Sequence, residues 1–185
     1  MDDHTVWMIV VIAVLVIFSA YFSATETAFT SVNRIKIKNM AMDGDKRAER
    51  VLALSSQYDK LLSTILIGNN IVNIGMTAIA TMLFVQLYGS RGATYATIVM
   101  TLVVLIFGEI SPKGLAKESP ESFSMFSAPL IRGIMWILTP VNFIFSQWKK
   151  LLNKVFIASL YMGNFFYLGG SLGSKTCKNH GSSRS

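Results

Sequence analysis

The stretch "LIFGEISPKGLAKE", residues 105–118, ends an apolar run with a carboxylate and places a proline three residues later. Pro112 has no N–H to donate, and its ring clashes with the carbonyl four residues back, which in an α-helix is that of Gly108. That carbonyl is then free to turn toward another partner, and Gly108 has no side chain to block the approach. We therefore expect a bare backbone oxygen beside the Glu109 carboxylate, within an apolar segment.

The composition around this stretch is that of a membrane protein. Of the 185 residues, 52% are hydrophobic and 15% charged, and the mean hydropathy is positive, a balance that is hard to fold into a soluble domain. The net charge of +7 does not indicate nucleic-acid binding, because the basic residues interrupt apolar runs and do not alternate with aromatic residues. The single Cys177 excludes an intrachain disulfide and a cysteine metal cluster.

Three apolar runs reach or approach the roughly 20 residues that a helix needs to cross a lipid bilayer. They occupy about residues 6–29, 61–88 and 93–110. A cleaved signal peptide is disfavoured for the first run, because "MDDH" is acidic where a signal peptide is positive. We predict an all-α membrane protein with three transmembrane helices.

The distribution of lysine and arginine predicts the orientation of these helices. Residues 34–60, between the first two spans, carry seven of these side chains, whereas the next loop, "YGSRGAT", carries only Arg91. Basic loops stay in the cytoplasm. The prediction is a multi-pass protein of the cell membrane with its N-terminus outside and its C-terminus cytoplasmic.

A fourth apolar segment, residues 123–147, is predicted to lie at the cytoplasmic side without crossing. A full crossing would move the following "WKKLLNK" outside and carry Arg132 into the membrane. Pro129, Gly133 and Pro140 are expected to divide the segment into short pieces. Juxtamembrane, bent, re-entrant or interfacial helices are therefore favoured, with a fourth span as the alternative.

Each predicted span carries polar residues at helical spacing. Ser19 and Ser23 lie four apart on the first span, Asn70 and Asn73 three apart on the second, and Glu109 on the third. The same spans also carry Glu26, Thr27, Asn69 and Thr77. Each set has a structural interpretation, in which hydroxyls bond to their own helix, asparagines hold helices together and an acid reaches the interface. Three sets in three spans favour convergence, because buried polar groups need partners.

Convergence of these groups predicts a cation site. Hydroxyls, amide oxygens, a freed carbonyl and one carboxylate form an all-oxygen environment suited to Mg²⁺, Ca²⁺ or Na⁺. Two alternatives stay open: Glu109 pairs with Lys113 one turn on, or the protein is a non-transporting sensor or assembly module whose polar residues are structural. The spans contain no histidine and no acid pair to activate a nucleophile, so we predict that the protein is not an enzyme.

Three strings identify a family resemblance. "FSATETAFTSVNR", "LLSTILIGNNIVNI" and "FGEISPK", in this order and at these spacings, resemble the membrane domain of the CorC/cyclin M magnesium transporters, over roughly residues 5–157. The resemblance implies a homodimer with three spans per subunit, cytoplasmic juxtamembrane helices, and a dehydrated Mg²⁺ exported in exchange for Na⁺. The ligands that it implies are Ser19, Ser23, Asn70, Asn73, the Gly108 carbonyl and Glu109.

Two further expectations concern the dimer and the C-terminus. Small residues on the second span permit two copies to approach closely, namely Gly75, Ala78, Ala80 and Thr81. Members of the family usually continue into a pair of cystathionine-β-synthase-type domains that bind ATP, and this sequence does not. We expect a transmembrane domain over residues 1–157, a polar, disordered tail over 158–185, and no nucleotide binding by this chain.

Overall fold

The computed structural model describes residues 3–141, which form helices joined by short turns. Residues 3–139 fall within one compact unit. In chain order its elements are α1 (Asp3–Ser31), α2 (Arg34–Met42), α3 (Lys46–Ser55), α4 (Tyr58–Tyr88), a 3₁₀ turn (Gly89–Arg91), α5 (Gly92–Val103), a π-helical segment (Val104–Ile110), α6 (Ser111–Glu118) and α7 (Pro120–Ile137). The predicted tail, residues 158–185, and the end of the fourth apolar segment lie outside the described residues.

Two helical stretches are long and apolar enough to cross a membrane, Asp3–Ser31 and Tyr58–Glu118. Only 17% of the residues in the most apolar window of each stretch are buried. A core helix of a soluble protein would be mostly buried, whereas a helix that is apolar and exposed on most sides is suited to lipid. The prediction of an all-α, membrane-type protein is confirmed for the described residues, and α7 is not among the candidate spans.

The second stretch contains a reversal of chain direction at the 3₁₀ turn. Gly89 has a φ of 62°, a left-handed conformation that favours glycine. At Gly92 an added Cβ would lie 2.2 Å from the Phe84 carbonyl oxygen, so the start of α5 approaches the backbone of α4 as only glycine permits. Met76 of α4 and Met100 of α5 are buried in one cluster. The α5 helix therefore runs back along α4.

The short helices α2 and α3 begin at side-chain caps. The Asn33 carboxamide oxygen accepts hydrogen bonds from two backbone N–H groups at the start of α2, and the Asp45 carboxylate accepts one from the Arg47 N–H at 2.8 Å. This backbone hydrogen bond lowers the pKa of Asp45 below its usual value. Both helices pack with the second half of α1, the start of α4 and α7 around one apolar core that includes Ile37, Val51, Leu61 and Ile131.

The prediction that proline and glycine divide the fourth apolar segment is wrong for the part described. Helix α7 runs without a break through Pro129 and Gly133. Pro129 removes one backbone hydrogen bond, but Ile131 and Met135 on the other face are buried in the core and hold the helix in place. The α-helix ends at Ile137, three residues before Pro140.

Candidate functional site

The first feature of the site is the Ser19 hydroxyl, at the meeting point of α1, α4 and the π-helical segment. Ser19 is fully buried. Its hydroxyl lies 2.8 Å from Oδ1 of Asn73 and 3.2 Å from Oδ1 of Asn69. A hydroxyl has one proton to donate, so these two amide oxygens compete for a single donor. On the other side, an added Cβ at Gly108 would lie 3.0 Å from the Ser19 Oγ, so the glycine backbone approaches the same hydroxyl.

The second feature is the Ser23 hydroxyl, one helical turn along α1. Ser23 is buried, and its Oγ has no hydrogen-bond partner within the part of the chain that the structure describes. A helical hydroxyl ordinarily bonds to the carbonyl four residues back, as Thr25 does to Tyr21 at 2.7 Å. Leaving a buried hydroxyl unpaired costs about 1–3 kcal/mol. Ser23 therefore has an oxygen available to a ligand.

The third feature is the register of the backbone before Pro112. The Ser111 N–H donates to the Ile106 carbonyl, five residues back, where an α-helix would use the carbonyl of Phe107. The Phe107 carbonyl therefore lacks its α-helical donor, and the donor of a π-helix would be residue 112, a proline without an N–H. In the α-helical register predicted from the sequence, the freed carbonyl would be that of Gly108. The π register leaves the Phe107 carbonyl without a helical donor.

The fourth feature is a carboxylate without a partner. Glu109 is half-buried and makes no hydrogen bond or ion pair with any residue between 3 and 141. The sequence left open a pair between Glu109 and Lys113, but the Lys113 ammonium lies 3.4 Å from the Glu26 carboxylate instead. The nearest basic residue along the helix is thus engaged with α1.

The predicted asparagines fall on different faces of α4. Asn73 is half-buried and contacts Ser19, whereas Asn70 is exposed in the single chain. Asn69, which was not among the predicted ligands, contacts Ser19 in its place. Its spacing of four residues from Asn73 was the signal that places both on one face.

The donor atoms at this site are nearly all neutral oxygens. Within residues 3–141 no group of three or more His, Cys, Asp or Glu side chains comes together. Serine hydroxyls, amide oxygens, backbone carbonyls and one carboxylate suit a hard cation and suit softer metals poorly.

Comparison with known proteins gives a family match over most of the chain. The family model described as the cyclin M transmembrane N-terminal domain matches residues 10–161. A UPF0053 protein of Haemophilus influenzae is 35% identical over 148 residues, which cover 80% of this chain and 35% of that protein. The UPF0053 inner membrane protein YfjD of Escherichia coli is 37% identical over 137 residues, covering 74% of this chain and 32% of that protein.

A more distant relative has a functional name. It is called a polyamine export protein, also from Haemophilus influenzae, and is 26% identical over 166 residues, covering 83% of this chain and 38% of that protein. The chain thus spans about a third of the length of these relatives.

Proposed function

This chain belongs to the cyclin M transmembrane family, as its motifs predicted, and on that premise we propose that it transports Mg²⁺ across the membrane. The ion would pass through the oxygen-lined site between α1, α4 and the π-helical segment. The observation that carries the proposal is the buried Ser23 hydroxyl, one turn from Ser19, for which residues 3–141 provide no hydrogen-bond partner. A purely structural polar cluster has no reason to keep that hydroxyl without a partner.

The proposed mechanism assigns different tasks to the charged and neutral oxygens. The Glu109 carboxylate would neutralise part of the charge of the ion. Hydroxyl, amide and backbone oxygens would replace the water that Mg²⁺ sheds reluctantly, which requires several oxygens fixed in advance. Access would alternate between the two sides of the membrane. We further propose the export direction, with Na⁺ entry as the coupled process.

We propose three membrane crossings, with the N-terminus outside and the C-terminus cytoplasmic. The crossings would be α1, α4, and the continuous stretch from α5 to α6. The reversal at Gly89 supports separating the last two, and the basic residues of α2 and α3 support a cytoplasmic location for those helices.

We also propose a homodimer formed through the exposed face of α4. Asn70 lies there between Leu66 and Ile74, which are 48% and 71% exposed, and an asparagine is costly against lipid alone. Of the small residues predicted at the interface, Ala78 is exposed and fits this role. Ala80 is fully buried within the chain, so it would not contribute.

Two other candidates have a specific observation in their favour. The hydrogen bond from Ser19 to Asn73 ties α1 to α4, as expected of a structural module that does not transport. Polyamine export is suggested by the name of one relative. A polyamine carries several separated ammonium groups, however, and Glu109 offers a single unpaired carboxylate, which suits a compact dication better.

The test compares melting curves of wild type and Glu109→Gln, each with and without Mg²⁺. The substitution keeps the size and hydrogen-bonding capacity of the side chain and removes its charge. We expect both proteins to fold and only the wild type to be stabilised by Mg²⁺, by about 2.7 kcal/mol at a concentration of 100 times Kd. Glu118→Gln is the matched control, because it removes the same charge from an exposed position.

An equal Mg²⁺-induced shift in wild type and Glu109→Gln would eliminate Glu109 as a ligand. Loss of stability in Glu109→Gln regardless of Mg²⁺ would favour the structural module. Flux into liposomes that contain the purified protein, with Mg²⁺, Na⁺, Ca²⁺ and spermidine compared, then identifies the cargo. Transport of spermidine without Mg²⁺ would replace the present proposal by polyamine export.

A further inference from the structure

A second polar feature lies away from the ion site, where α3, the start of α4 and the end of α7 surround a cavity of about 210 Å³. Three cationic side chains line this cavity, Arg50, Lys60 and Arg132, together with Trp136 and Thr139. Among the described residues, no acidic side chain lines it. The cavity therefore concentrates positive charge.

The cations around the cavity lack carboxylate partners within residues 3–141. Lys60 and Arg132 make no ion pair there. Arg50 uses its Nε to donate to the Lys46 carbonyl at 3.2 Å, which leaves the terminal guanidinium nitrogens for another acceptor. By contrast, Lys36 reaches the Glu121 carboxylate at 3.5 Å. Three unneutralised cations around one space favour an anionic ligand.

The outer face of α7 indicates where this cavity lies relative to lipid. Phe126 and Ile137, which are 71% and 66% exposed, lie on that face together with Leu130. Trp136 is 81% exposed and also lines the cavity. A helix with one buried face, an exposed apolar face and a nearby cluster of cations is typical of the membrane interface, and tryptophan prefers the depth of the lipid headgroups. The cavity is therefore expected to open at headgroup depth.

We propose that this cavity, hereafter the basic pocket, binds the phosphate of an anionic phospholipid. The Arg50, Lys60 and Arg132 side chains would surround the phosphate, and the Trp136 ring would lie beside the start of the acyl chains. A lipid is favoured over free phosphate because the exposed apolar face of α7 continues from the pocket and acyl chains would cover it. Basic pockets between helices on the cytoplasmic side of a membrane bind anionic lipid headgroups. The proposal does not depend on which ion the protein transports.

The experiment measures thermal stabilisation of the full chain in a neutral detergent, with phosphatidylglycerol, phosphatidylcholine or inorganic phosphate added. We expect phosphatidylglycerol to raise the melting temperature of the wild type, and the other two to leave it nearly unchanged. In the double variant Lys60→Gln with Arg132→Gln, the apparent affinity for phosphatidylglycerol should fall by about fivefold for each cation removed. The matched control is Lys38→Gln with Arg91→Gln, which removes the same charge at exposed positions outside the pocket.

Three results would overturn the proposal. Equal stabilisation by phosphatidylglycerol and phosphatidylcholine would remove the requirement for negative charge. An equal loss of affinity in the control would show attraction by net charge alone. Equal stabilisation by millimolar inorganic phosphate would make the pocket a site for free phosphate. If the double variant fails to fold, native mass spectrometry of the wild type decides, because the pocket predicts one retained phosphatidylglycerol per chain and no retained phosphatidylcholine.

Discussion

Substitution of Gly108 by alanine tests whether the contact between the π-helical segment and α1 belongs to an ion site. The added methyl would lie 3.0 Å from the Ser19 Oγ and 3.5 Å from a Val104 methyl carbon. Ordinary contact begins at 3.4 Å, so Ser19 or the backbone must move by a few tenths of an ångström. Accommodating the methyl therefore changes the position of the Ser19 hydroxyl relative to the π-helical segment.

A displacement of a few tenths of an ångström should affect the stability of the protein little and its affinity for Mg²⁺ strongly. A hydrogen bond such as that of Ser19 to Asn73, 2.8 Å long, contributes about 1 kcal/mol. Alanine is favoured over glycine in a helix by a similar amount, so the melting temperature should change little. Mg²⁺, in contrast, requires nearly ideal octahedral geometry with oxygens at about 2.0–2.1 Å. We therefore expect the affinity for Mg²⁺ to fall at least about tenfold, or about 1.4 kcal/mol.

The assay is the Mg²⁺-induced shift in melting temperature, measured beside Mg²⁺ flux in liposomes. Gly133→Ala is the matched control, because it makes the same change within α7, away from the ion site, where an added Cβ meets no atom within 4 Å. The control should keep the full response to Mg²⁺. A Gly108→Ala protein with an unchanged Mg²⁺-induced shift would refute the argument that this contact forms part of the ion site.

Two further substitutions test the fold and the unpaired hydroxyl. Gly92→Ala places a Cβ 2.2 Å from the Phe84 carbonyl oxygen, so we expect overpacking to lower stability by about 1–3 kcal/mol or more; a melting temperature equal to that of wild type would argue against the close reversal of α5 on α4. Ser23→Ala removes a buried hydroxyl that has no partner among the described residues, so stability without Mg²⁺ should be unchanged or slightly raised, while the Mg²⁺-induced shift decreases. Equal destabilisation with and without Mg²⁺ would instead assign this hydroxyl to a structural hydrogen bond.

The general fold was predictable from the sequence. It is favoured most strongly by the burial of apolar side chains in lipid, and that burial is a property of long segments. Runs of hydrophobic residues predicted the long helices, and three short strings predicted the family. The unbroken course of α7 was not predicted from the sequence. Pro129 and Gly133 are local signals for a break, but the burial of Ile131 and Met135 on the opposite face outweighed them.

The kinds of group at the site were predictable from the sequence, whereas the particular asparagine and backbone carbonyl were less so. Neighbouring residues on a helix point about 100° apart, so the choice between Asn69 and Asn70 depends on how α4 is rotated about its axis. That rotation is set by tertiary contacts such as the one at Gly68, where an added Cβ would lie 2.5 Å from the Phe22 ring. Likewise, the π register that affects the Phe107 carbonyl is not visible in a sequence whose residues also suit an α-helix.

The ion pair between Glu26 and Lys113 determines which charges remain available to Glu109. The Glu26 carboxylate lies 3.4 Å from the Lys113 ammonium, and this pair joins α1 to α6. Lys113 is the nearest cation that follows Glu109 along the chain, so its pairing with Glu26 leaves Glu109 without that neutralising charge. A carboxylate in an apolar segment is stabilised only when a positive charge or several donors face it. The described residues supply neither to Glu109, and the Ser23 hydroxyl is equally without a partner. A bound cation would supply the positive charge that Glu109 lacks, and this is the physical reason to propose an ion site here over a cluster that only joins helices.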